Sequence, residues 1–72
     1  MKKIELGVYK HFKGNRYRVL GIAKSSETLE DMVVYEALYG EHALWVRPAS
    51  EWFNEVVDGN GDTVYRFVYE GP

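Results

Sequence analysis

The chain has 72 residues and a mass of 8.4 kDa, which is room for one domain with a core spanning about residues 6–69. Its residues are 46% hydrophobic, 28% charged and 15% aromatic, a mixture too rich in rings for a disordered segment. No apolar run approaches the ~18 residues of a membrane span. The net charge of −2 hides a basic N-terminal third, where Lys2, Lys3, Lys10, Lys13, Arg16, Arg18 and Lys24 face only Glu5. The absence of cysteine excludes disulfides, thiolate metal sites and thiol catalysis.

Met1-Lys2-Lys3 has the basic start of a signal peptide, but Glu5 and Gly7 interrupt any apolar stretch after it, so a cytoplasmic location is expected. Lys13-Gly14-Asn15 lies between two β-rich runs, residues 7–12 and 16–23, and predicts a hairpin. In the second run the apolar residues change face at Gly21, which predicts a bulge or bend there. Residues 25–31 are polar and read as a connection. Residues 32–39 have partial helical spacing, but Val33-Val34-Tyr35 is β-branched and aromatic and favours a strand. Gly40-Glu41-His42 then forms a turn into a strand over residues 43–47, which Pro48 ends. Ser50 can cap a short helix over residues 51–55 with Trp52, Phe53 and Val56 on its inner side. Asp58-Gly59-Asn60-Gly61-Asp62 has the composition of a loop, and residues 64–69 read as a last strand. The expectation is mainly β: a small, strongly bent antiparallel SH3-like barrel of about five strands, with one short helical turn before the last.

Tyr9-x-His11-Phe12-Lys13-Gly14-Asn15-x-Tyr17-x-Val19-Leu20-Gly21, Ser26-Glu27-Thr28, Val33-Val34-Tyr35-x-x-Leu38-Tyr39-Gly40 and Leu44-Trp45-Val46-Arg47-Pro48 resemble a bacterial domain-of-unknown-function family, numbered sixteen fifty-three. The resemblance covers roughly residues 6–69. Where the family pattern has a Met-Phe pair after Arg47-Pro48, this chain has Trp52-Phe53. The resemblance implies a compact β-rich domain and brings no activity, substrate or catalytic residue.

Four groups of residues bear on chemistry. His11, with Ser26 or Glu27, would be the seed of a minimal enzyme, but no nucleophile motif accompanies it, and an ordinary strand histidine answers the same pattern. Asp58-x-Asn60-x-Asp62 copies the first ligand positions of a calcium loop, then has Thr63 where glycine is required and Tyr69 where glutamate is; a hairpin turn explains it better, and no metal or cofactor is expected. Lys10, Lys13, Arg16 and Arg18, interleaved with Tyr9, Phe12 and Tyr17, would suit a single-stranded nucleic acid. The competing reading pairs Arg16 and Arg18 with Glu30, Asp31 or Glu36. Finally, Tyr35, Tyr39, Trp45, Tyr65, Phe67 and Tyr69 are more rings than so small a barrel can bury. The expected function is therefore a non-catalytic binding module. Tyr9, His11, Tyr35, Trp45 and Arg47 would form its ligand surface, stacking on rings with a cationic anchor. The partner would be a peptide or nucleic acid rather than a membrane; a self-association face using the same rings is the structural alternative.

Overall fold

The computed structural model describes residues 3–72, so the basic start Met1-Lys2 lies outside the described residues. The chain runs β1 (Gly7–His11), β2 (Arg16–Lys24), β3 (Asp31–Ala37), β4 (Leu44–Pro48), a 3-10 turn (Ala49–Glu51), β5 (Glu55–Val57), β6 (Thr63–Tyr65) and β7 (Phe67–Gly71). The fold is mainly β. Five strands form one antiparallel sheet in the order β4-β3-β2-β1-β7, and β5 and β6 pair separately. No helix among the described residues is long and apolar enough to cross a membrane.

The β1–β2 hairpin forms where Gly14 takes a φ of 106°, a conformation that side chains resist. His11 N–H donates to the Asn15 carbonyl at 2.8 Å, and Gly14 N–H donates to the His11 carbonyl at 2.8 Å. The expected bulge in β2 is present. Val19 pairs with Tyr35 and Gly21 with Val34, so Leu20 is the extra residue. Residues 32–37 are strand, and their alternation explains why: Val33, Tyr35 and Ala37 are buried, while Met32, Val34 and Glu36 face outward.

Three expectations need correction. The sheet does not close into a barrel, because its edge strands β4 and β7 share no ladder. The expected last strand over residues 64–69 is two strands. Arg66 interrupts it: its N–H donates to the Asn54 carbonyl at 2.8 Å and its carbonyl accepts from Phe12 N–H at 2.9 Å. With Arg66 tied across the fold, β6 turns to β5 and β7 turns to β1. The short helix expected over residues 51–55 is instead the 3-10 turn Ala49–Glu51, since residues 55–57 are taken up by β5.

The core lies on the inner face of the large sheet. Trp52, fully buried, stacks on Phe67 with centroids 4.0 Å apart and meets Tyr9 and Tyr35 edge-on at 5.3 and 5.0 Å. Val19 and Val33 complete this cluster. Edge-on packing of Tyr9 and Tyr35 suits the ring quadrupoles, and with the Phe67 stack it lets one indole seal an open sheet.

Candidate functional site

Alternation along β1 puts Tyr9 and His11 on the inner face, and cross-strand register extends that face. Tyr9 lies opposite Tyr17, Tyr35 opposite Trp45, and Val33 opposite Arg47. All five residues expected on a ligand surface therefore share one side of the sheet. They do not share one environment. Tyr9 and Tyr35 are core residues, 1% and 7% exposed, because Trp52 covers them. Tyr9 is also pinned through its hydroxyl, which accepts from Glu5 N–H at 2.9 Å and donates to the Glu5 carbonyl at 3.0 Å. Burial raises its pKa. His11, Trp45 and Arg47 remain at the rim, and Trp45 is 53% exposed.

His11 sits in a ring cluster, with Phe12, Phe67 and Tyr17 at centroid distances of 4.6, 5.0 and 6.0 Å. Its Nδ1 accepts the Lys13 N–H at 3.2 Å, which leaves the proton of the neutral imidazole on Nε2. Burial pushes the His11 pKa below its ordinary 6.5, and the charges of Arg66, Lys13 and Arg47 push it the same way. The Arg47 guanidinium lies 6.0 Å from the Phe67 centroid and 3.8 Å from the Glu51 carboxylate. The Nε atoms of Arg47 and Arg66 are both buried and have no hydrogen-bond partner. Arg66 makes no ion pair among the described residues, and nothing in the local sequence singles it out. Its place depends on the distant Asn54 and Phe12 backbone bonds.

The other expected constellations separate. Ser25 Oγ accepts N–H bonds from Glu27 and Thr28 in the turn after β2, whereas His11 lies beside the start of β2. His11 and the Ser26-Glu27 pair thus stand at opposite ends of that strand. Asp58 Oδ1 accepts from Asn60 and Asp62 N–H at 2.9 and 3.0 Å, so the Asp58–Asp62 segment is an Asx-stabilised hairpin turn between β5 and β6. In the basic hairpin, Lys10 pairs in register with Arg16, and Arg18 with Val8, all on the outer face. Tyr9 and Tyr17 point inward, so cations and rings interleaved in sequence lie on opposite sides of the sheet. Arg16 binds Glu70 through Nε at 2.7 Å and a second nitrogen at 3.3 Å, not Glu30, Asp31 or Glu36. Arg18 lies opposite Glu36. Lys13 stands 5.8 Å from the Phe12 ring.

Of two clefts among the described residues, the larger, about 750 Å³, is lined by the apolar Ile4, Ile22, Ala49 and Phe53 and the polar Lys3, Glu30, Asp31 and Ser50. It includes none of the rim residues, and Asp31 is already held by Lys24 at 2.6 Å. Its mixed charges define no ligand. The smaller, about 170 Å³, adjoins His11 and is lined by Lys10, Phe12, Asp58, Val64, Tyr65 and Val68. The rim has the more specific chemistry, because its cationic nitrogens lack acceptors.

The sequence model of the family described as protein of unknown function (DUF1653) matches residues 7–69. A crystal structure of a DUF1653 protein from Bordetella bronchiseptica is similar to the chain, with a TM-score of 0.86 at 38% sequence identity. The match covers 99% of this chain and 92% of that one. No curated protein matches the chain.

Proposed function

The chain belongs to the DUF1653 family, and from that premise we propose that it is a non-catalytic binding module whose ligand carries a carboxylate or phosphate. The observation that carries this reading is the pair of half-buried guanidinium groups of Arg47 and Arg66, both close enough to His11 to lower its pKa and each with an Nε that no protein acceptor engages. Both arginines are only half-buried, so an oxyanion would meet the outer nitrogens of their guanidinium groups, the donors best suited to a carboxylate or phosphate. His11 contributes the Nε2 proton that its Lys13 contact leaves free to donate. Trp45, exposed two residues from Arg47 on the same face of β4, supplies a ring for the planar part of the ligand. A cytoplasmic bacterial setting is part of this proposal; the similar crystallised protein comes from a bacterium, Bordetella bronchiseptica. The short bent sheet with a 3-10 turn accords with an SH3-like architecture.

The test is a titration with inorganic phosphate followed by amide NMR. Saturable shifts at His11, Arg47 and Arg66, abolished in a folded Arg66→Gln variant, are the expected result. Shifts confined to Arg16 and Arg18 on the outer face, or none, would contradict it.

A further inference from the structure

The two edges of the large sheet differ. On β7, Glu70 is bound by Arg16, so that edge carries a charged pair. On β4, Leu44, Trp45 and Val46 are 65%, 53% and 62% exposed, with no charge and no bulge among them. Natural edge strands are normally blunted by charge, proline or irregularity. Here only Arg47 and Pro48, at the end of β4, serve in that way.

The register shows which backbone groups are open. Ala37 N–H donates to the Ala43 carbonyl at 2.9 Å, so Ala43 belongs to a hydrogen-bonded pair. Two and four residues on, Trp45 and Arg47 continue those pairs with Tyr35 and Val33. The N–H and C=O groups of Leu44 and Val46 therefore point away from β3. Pro48 has the same parity, which is why a residue without N–H costs this strand no bond.

We propose that this edge pairs with β4 of a second copy of the chain, antiparallel and centred on Trp45. In that register Leu44 lies opposite Val46 of the second copy, and Val46 opposite its Leu44, each pair exchanging two backbone bonds. Trp45 meets its own counterpart at a close, non-hydrogen-bonded position, where aromatic pairs contribute most. The strand's one charge, Arg47, falls opposite Ala43, so no like charges meet. On the outer face, Val46 already abuts Val34, and the apolar strip continues across the seam. The two sheets become one, with both cationic rims on the same side. A foreign peptide would find the same open groups but not this self-matching of apolar with apolar and of arginine with alanine.

Sedimentation velocity tests the pairing. Between about 10 μM and about 1 mM chain, the span where a modest interface titrates, the mass is expected to rise from 8.4 kDa toward twice that value. Val46→Pro removes an outward N–H that β3 does not use, and Leu44→Lys adds a charge to the seam. Both are expected to stay monomeric with an unchanged strand circular dichroism spectrum. A wild-type chain monomeric throughout, or a folded variant that dimerises like the wild type, would overturn the proposal. If the proline variant unfolds, hydrogen exchange of the wild type decides: Leu44 and Val46 amides must slow as concentration rises, and unchanged rates would overturn it. Phosphate binding by a monomeric variant is expected to persist, so this seam and the cationic rim fail separately.

Discussion

The rings of Trp52 and Phe67 lie parallel, 4.0 Å apart at 5°. Phe67 is also the ladder partner of His11 and the ring beneath Arg47. One stack therefore joins the connection after β4 to β7 and floors the cationic rim. Trp52→Ala is expected to cost about 3–5 kcal/mol. That approaches the whole stability of a small domain, typically about 5–15 kcal/mol and lowest for short chains. Urea unfolding should show the variant largely unfolded near neutral pH, with Trp52→Phe retaining a cooperative transition.

Gly7 and Gly21 should respond oppositely to alanine. Gly7 has a φ of 131°, and a Cβ there would stand 2.6 Å from the Gly71 carbonyl oxygen, a backbone atom that cannot swing away. Gly7→Ala should cost about 1–3 kcal/mol. At Gly21 a Cβ would meet nothing within 4 Å, and its φ is not positive. Gly21→Ala should be neutral or stabilise by up to about 1 kcal/mol, through the less flexible unfolded chain. Thermal melts of the pair check both signs.

Stability should fall as pH drops below 6.5. The His11 pKa is lowered in the folded chain by burial and by Arg66, Lys13 and Arg47. Above 6.5 the imidazole is neutral in both states; below it the unfolded chain takes up a proton that the folded chain resists. His11→Gln should flatten the urea midpoint between pH 7 and about pH 5. Glu70 acts in a lower window. Its carboxyl, held down chiefly by the Arg16 hydrogen bond, stabilises above 4.5, and that stabilisation is lost as pH falls through the lowered folded value.

Tyr17 should ionise late. Burial, and then the 2.7 Å hydrogen bond to the Tyr39 hydroxyl, push its pKa up to about 12. Ultraviolet titration should show late-ionising phenols, Tyr17 at about 12 and Tyr9 also above its ordinary value, and Tyr39→Phe should bring the Tyr17 step partly back, because burial remains.

Local signals made much of this fold legible. Lys13-Gly14-Asn15 marked the first hairpin, the change of face near Gly21 marked the bulge, and β-branched residues decided β3. The break at Arg66 was not legible, because Asn54 and Phe12 impose it from distant parts of the chain. The ring surplus was real, but its location was not readable. Trp52 plugs the sheet and draws Tyr9 and Tyr35 under it, while Leu44, Trp45 and Val46 are left open on the edge. Alternation placed His11, Trp45 and Arg47 on one face. Arg66 carries no local signal because it lies inside a run, residues 64–69, that reads as one continuous strand. The Arg16 partner was also non-local: Glu70 reaches it across β1.

Side-chain Nε–H NMR of the arginines reads the cationic rim most directly. With inorganic phosphate added, the Arg47 and Arg66 signals should shift together along one saturation curve, while Arg16, already bound to Glu70, stays in place. Signals of Arg47 and Arg66 that do not move at saturating phosphate would contradict an anion site at this rim.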